Sequence, residues 1–312
     1  MFAKFPKKFL PVLFFVSLAF TALQCEKEGP VIIENTIKKD SLAQVKKDSL
    51  IQDSILKNTI TYRSFIFPKK KKDSAMAVFN EEFSKEEQAV ILALNRLDSD
   101  NKWRADTLSI PDKIDPSLMA YAPFPRELKS LDKVSKMVFF SYPIQAYALY
   151  ENGRLIKWGP SSMGKKNAQT KRGLMFANWK KELAISTVNS SWKLPYNFNV
   201  HNTLGIGWHE YDLPGFPASH SCLRLLREDA KFLYNWADQW ILNKGGATVK
   251  AQGTPVIVFG DYNWGGKKPW KYLSEDPTLT DISEEEMNAV IEPNLDKILK
   301  AQQKRAEVLT ES

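Results

Sequence analysis

The sequence predicts a mainly β domain of sandwich or barrel type, with one helix after a histidine- and cysteine-bearing loop and a helical subdomain ahead of it. Three observations predict this. Runs rich in aromatic and β-branched residues ("KMVFFSY", "AYALY", "TPVIVFG") recur between residues 136 and 260, as half-buried or fully buried strands require. Asn152-Gly153 stands between two such runs, the strongest short-range hairpin signal. Within this region only "REDAKFLYNWADQW" (227–240) has helical spacing, with Leu226, Ala230, Leu233 and Ala237 along one face. Gly245-Gly246 is expected to end that helix.

Taken in order, the chain divides into residues 1–24, 25–75, 76–116, 117–265 and 266–312. The first segment couples a basic start, "MFAKFPKK", to an uncharged stretch of 15 residues, "FLPVLFFVSLAFTAL". That is short for a membrane span and suits a secretory signal. Cys25 follows at once, where a bacterial lipoprotein carries its lipid, although Leu23 and Gln24 stand where small residues are usual. The expectation is an exported protein attached to a membrane of the cell envelope. Residues 25–75 repeat "KKDSL" and include "PKKKKD" at 68–73, and read as a solvated tether. In "FSKEEQAVILALNRLD" (83–98), Ser84 and Glu87 form a capping box ahead of an apolar run. "DTLSIP" then reads as a short strand. This stretch resembles the second half of a LysM-type glycan-binding module; the alternative is a helical subdomain packed on the main body. The tail, 266–312, is polar, with one helix capped by Ser283 and Glu286.

Charge and cysteine usage narrow the function. The formal net charge is +8, but Lys4, Lys7 and Lys8 contribute three of it in a segment without acids. Such an excess suits a carboxylate-rich or polyanionic partner. The densest basic run lacks interleaved aromatics, which argues against nucleic acid. With Cys25 lipidated or removed, Cys222 is the one thiol left, and an unpaired thiol in an exported chain is a candidate reactive group.

Two of the three histidines flank that thiol in "WHEYDLPGFPASHSCLRLL" (208–226), and His201 lies 21 positions before it. Zinc would need four ligands in tetrahedral array. No CxxC pair exists, and His220-x-Cys222 is too short a step. Nucleophilic catalysis fits better: Cys222 as nucleophile, a histidine as base, and backbone N–H groups of a tight turn facing the developing oxyanion. The loop "DLPGFP" can return His209 to the side of Cys222. A helix beginning just after Ser219–Cys222 would favour negative charge there, so the thiol pKa is expected below the ~8.5 of free cysteine. No cofactor is called for.

These residues carry a resemblance. "SHSCLRL" after "WHEYDLPGFPA" is similar to the active-site signature of the L,D-transpeptidases, the YkuD-type catalytic domain, and "SSMGKKNAQTKRG" (161–173) resembles the family's upstream turn, with Thr170 and Gly173 kept. The resemblance covers roughly residues 134–260. It implies Cys222 as nucleophile, His209 as base and the Glu210 backbone carbonyl as the group that orients the imidazole. It also implies an oxyanion and substrate pocket formed with Ser219, His220, Ser221, Arg224, Thr170 and Gly173. The implied partners are peptidoglycan stem peptides, and the implied reaction is 3→3 cross-linking through a thioester. The same thioester could serve an L,D-carboxypeptidase or cross-link hydrolase, and an inactive wall-binding lipoprotein is the alternative from another class. Ser221 replaces the usual Gly, and Lys171 the usual turn Pro. His201 matches no motif position and reads as structural.

Overall fold

The computed structural model describes residues 59–186 and 188–311. The expected signal segment, Cys25 and most of the expected tether lie outside the described residues. The first strand, β1 (Tyr62–Ile66), pairs antiparallel with β2 (Thr107–Pro111), and α1 (Lys72–Glu82) and α2 (Lys85–Leu94) connect them. Two corrections follow. Residues 59–75 are part of this module: Lys69–Lys71 form a 3₁₀ turn and Lys72 opens α1. The lysine run masked the apolar residues around it, for Ile60 and Phe67 are both buried. The module is also βααβ, not helical alone. Its core joins Phe67, Phe79, Ile91, Leu92, Leu108 and Ile110. The Ser84–Glu87 capping box is formed reciprocally and starts α2.

The main body begins with β3 (Met137–Ser141), β4 (Ala146–Glu151), β5 (Arg154–Pro160) and β6 (Gly173–Phe176). Then come β7 (Lys180–Ile185), β8 (Lys193–His201), β9 (Ile206–Glu210) and β10 (Leu223–Leu225). Helix α3 (Arg227–Trp236) precedes the short β11 (Ile241–Leu242) and β12 (Val249–Ala251), then β13 (Pro255–Phe259) and finally α4 (Glu284–Thr310). One sheet has the order β5-β4-β3-β13-β6 and the other β10-β9-β8-β7. Successive side chains of a strand point to opposite faces. Hence Val138 and Phe140 of β3 pack between the sheets with Phe198, Trp208, Leu223 and Leu233. Met137 and Phe139 face the other way, toward Val90 and Leu94 of α2 and Met287 and Ile291 of α4. Covered on both sides, β3 is buried throughout. The Asn152-Gly153 turn joins β4 to β5 with φ of 47° and 75°, the two left-handed residues of a type I′ hairpin.

Helix α3 ends at Trp236 rather than at Gly245-Gly246. Ala237 is already extended, and Asp238 is captured by Thr254, whose N–H donates to the Asp238 carbonyl at 2.9 Å. The two glycines turn β11 into β12. The tail is likewise more than a polar extension: α4 buries Met287, Ile291, Ile298 and Val308. Several contacts fix the βααβ module to the body. Arg96 is 2% exposed, donates from Nε to the Ile144 carbonyl at 2.7 Å, and lies over the rings of Trp158 and Trp270. Leu97 bridges Pro214, and the Asp98 carboxylate accepts the Leu213 N–H at 2.6 Å.

Candidate active site

Parallel pairing of β9 with β10 sets the site. His209 is the register partner of Arg224 and Trp208 of Leu223, so Cys222, one step before β10, comes level with Gly207. The Gly207 backbone N–H lies near enough to the Cys222 sulfur to favour its ionised form. Cys222, His209, His220, Ser221, Arg224 and Tyr211 all line one cavity of about 440 Å³. Another cavity of about 440 Å³, between α2 and the Glu210–Asp212 segment, holds neither the cysteine nor a histidine.

His209 is 3% exposed, and its Nδ1 lies 2.8 Å from the Glu210 carbonyl oxygen. A carbonyl only accepts, so Nδ1 carries the hydrogen and Nε2 is left as a free base. Burial pushes the imidazole pKa down to about 4; the Glu210 carbonyl opposes this and the Arg224 charge adds to it. Burial also pushes the Cys222 thiol up, against lowering by the Gly207 N–H and Arg224. The expectation of a depressed thiol is therefore corrected, and one cause is visible. Along the chain β10 separates Cys222 from the start of α3, so the cysteine is not itself a residue of the helix N-terminus. Both shifts favour the neutral forms, thiol and imidazole.

The turn before Cys222 is tightly braced. Ser219 Oγ donates to the Cys222 carbonyl at 2.6 Å, and the Ser219 N–H donates to the Met163 carbonyl at 3.0 Å. Ser221 has φ of 81°, the left-handed region that glycine occupies without strain. This serine therefore holds a conformation that costs about 1–2 kcal/mol for an L-residue. His220 is outermost: its Nε2 is 2.7 Å from Lys165 Nζ and its ring packs on Trp192 at 5.0 Å. Arg224 stacks over Tyr211 at 4.4 Å.

Three of the sequence-predicted residues stand back from the cavity. Thr170 is buried, and its Oγ1 accepts the Gly164 N–H at 3.0 Å, which holds the 163–165 segment that pairs with Ser219. Gly173, with φ of 101°, begins β6. Ser219 acts through the brace just described. His201 sits at the end of β8, where its Nδ1 accepts the Leu204 N–H at 3.3 Å. Sequence reasoning missed Lys165, Tyr211, Trp192 and the pair Asn197 and Asn199. The alternation in "YNFNVH" was a signal for the last two, because buried polar residues at every second strand position mark a face with a function.

Residues 135–258 match the family model described as the L,D-transpeptidase catalytic domain, YkuD, so the two-sheet body of this chain carries a domain of that family. Among solved structures, the chain is similar to an L,D-transpeptidase from Stackebrandtia nassauensis (27% identity, 42% of this chain and 58% of the other, TM-score 0.35). It is also similar to one from Xylanimonas cellulosilytica (21%, 46% and 67%, TM-score 0.35). A third is the C442S mutant of the Enterococcus faecium L,D-transpeptidase (21%, 40% and 50%, TM-score 0.32). The chain thus spans 58% of the first of these structures. A comparison with curated proteins found no match.

Proposed function

We propose that this protein is a peptidoglycan L,D-transpeptidase that forms 3→3 cross-links through a thioester on Cys222. The observation that carries the reading is the convergence of Cys222, a base-competent His209 and Arg224 in one cavity, within a segment that matches the catalytic-domain family. The substrate is a tetrapeptide stem whose third, diamino residue precedes a terminal D-Ala. As the Cys222 sulfur bonds to the carbonyl carbon of the third residue, its proton passes to His209 Nε2. Backbone N–H groups of the Ser221–Cys222 turn face the oxyanion, each contributing about 3 kcal/mol. Collapse breaks the C–N bond, and His209 returns the proton to the departing D-Ala amine. A side-chain amine of a second stem then attacks the thioester, gives a proton to His209, and the thiolate recovers it. Both half-reactions start and end with the pair neutral. Arg224, held against Tyr211, is placed to bind a stem carboxylate.

The test is intact-protein mass spectrometry after incubation of the chain from residue 25 onward with purified tetrapeptide. An acyl adduct, free D-Ala and a dimer one D-Ala lighter than two stems are expected, and Cys222→Ala loses all three. Tripeptide without dimer assigns the carboxypeptidase reaction instead. No adduct on a folded chain with a titratable thiol overturns the enzymatic reading. Export and attachment through Cys25 belong to the same proposal, supported by the basic start and apolar 15-residue stretch. Cys25→Ser should move the protein from the membrane fraction to a soluble exported pool; retention on membranes with residues 1–24 still attached argues for an uncleaved anchor.

A further inference from the structure

Among the described residues that line the cavity beside Cys222, one has a buried side-chain polar atom with no partner, the Nδ2 of Asn197. Asn197 is 5% exposed. Buried donors in native proteins are nearly always satisfied, and an exception calls for a reason. Its neighbour on the same face behaves ordinarily: Asn199 Oδ1 accepts from Asn178 Nδ2 at 3.0 Å.

The register shows what the free donor faces. β8 and β9 are antiparallel with Phe198 opposite Trp208 and Asn199 opposite Gly207, which brings Asn197 level with His209. Arg224 is level with His209 on the other side. The imidazole thus stands mid-row, one strand spacing of about 4.8 Å from each neighbour, with a cation on one flank and an unpartnered N–H on the other. Apart from Arg224, the cavity wall on the β8 side is neutral: Asn197, Asn199, Asn202, Thr203 and Ser186.

We propose that Asn197 Nδ2 is a specificity determinant for the amine that exchanges at the thioester, binding a carboxyl oxygen on the carbon next to that amine. The inference rests on the transpeptidase reading. The amine that leaves and the amine that attacks both exchange a proton with His209 Nε2, so both occupy the same place. A D-Ala leaving group carries its carboxylate one carbon from the nitrogen. With the nitrogen at His209, that carboxylate reaches one strand away, toward either Arg224 or Asn197. Arg224 meets the body of the stem peptide, leaving the carboxyl of the exchanging amine to the free amide of Asn197. The site then accepts α-amino acids and D-centres of diamino acids in preference to simple amines of equal size. No bond is made or broken at Asn197.

The experiment uses a stem tripeptide activated as a C-terminal thioester, so that acylation releases a simple thiol and needs no D-Ala leaving group. Thiol release by the unmodified protein establishes the acyl-enzyme; its absence there overturns the transpeptidase reading and not this one alone. The acyl-enzyme is then partitioned between D-alanine and D-alaninol, which differ only in the carboxylate, and products are counted by mass. The unmodified protein should favour D-alanine by about tenfold, the worth of one hydrogen bond to a charged acceptor. Asn197→Ala should remove that ratio, and Asn197→Gln should restore part of it. Asn197→Asp should reverse it by placing like charges together. An acyl-enzyme that forms normally, with the same D-alanine to D-alaninol ratio in all four proteins, overturns the assignment.

Discussion

Asp98 lies outside the matched catalytic segment, yet it holds the loop that joins the base to the nucleophile. Its Oδ2 accepts the Leu213 N–H at 2.6 Å, and its Oδ1 accepts the Asn101 N–H at 2.7 Å. Leu213 is fully buried and lies between His209 and Cys222. In Asp98→Ala that N–H has no replacement partner in the apolar seam. A hydrogen bond to a charged acceptor contributes about 1.5–3 kcal/mol. For a domain of this size each kcal/mol lowers Tm by about 2–4 °C, so a fall of about 3–12 °C is expected. Activity should fall further than stability. A displacement of about 1 Å between reacting groups costs on the order of 100-fold, and the freed loop ends at both catalytic residues. Thermal unfolding followed by circular dichroism, and Cys222 acylation by tetrapeptide at a temperature where the variant stays folded, measure the two effects. Asp98→Asn, which keeps an acceptor oxygen, should recover most of each. If Asp98→Ala unfolds within about 1 °C of the parent and acylates at the same rate, the module does not brace the site and the reasoning fails.

Protonation supplies a further expectation. A histidine whose pKa falls from 6.5 to about 4 on folding binds its proton more tightly in the unfolded chain. Stability is therefore complete above pH 6.5 and is lost as pH falls toward 4, at up to about 1.4 kcal/mol per pH unit; urea titrations across that range should show the slope, and His209→Gln should flatten it. The same pair gives an acylation rate with a broad pH plateau, since neither partner ionises near neutrality, whereas a narrow bell centred below pH 7 would indicate a resting thiolate–imidazolium pair. Ser221→Gly should raise stability by about 1 kcal/mol, because φ of 81° costs glycine nothing, and a loss of stability in chemical denaturation would show that the serine side chain compensates locally.

Strands, the hairpin turn and two capping boxes were legible because each rests on local chemistry: side-chain branching, an Asn-Gly pair, a Ser with Glu three residues on. The candidate site residues were legible because rare residue types were gathered in one short stretch. What stayed hidden depends on distant partners. Strand β1 was obscured by the lysines at 69–72, since composition averages over the buried Ile60 and Phe67 beside them. The end of α3 was misplaced because Thr254, 16 positions after Asp238, captures the chain there. The thiol pKa was misjudged for a similar reason. A sequence shows that a histidine and a helix are near a cysteine in the chain, but not that β10 separates the helix from the sulfur or that both partners are buried.

That burial bears on how the site works. An ion pair formed in advance would have to be desolvated in a cavity walled by Trp192, Tyr211 and Leu194, and charge there is costly without full hydrogen bonding. The structure supplies the thiol with one backbone N–H and a nearby guanidinium, enough to soften the cost but not to reverse it. The charge is better created when it is used. In the proposed reaction the carbonyl that accepts the sulfur also brings the developing oxyanion to the Ser221–Cys222 turn, so proton transfer to His209 and stabilisation of the negative charge coincide. A neutral thiol is also a poor nucleophile toward adventitious electrophiles and oxidants, which suits a chain whose one described cysteine lines an open cavity. Arg224 is central to this balance. Its charge lowers both the thiol and the imidazole pKa, which favours the ionised sulfur while opposing the protonated base, and a bound carboxylate offsets that charge. In the proposed reaction, a stem carboxylate bound at Arg224 would therefore raise the basicity of His209 at the moment a base is needed.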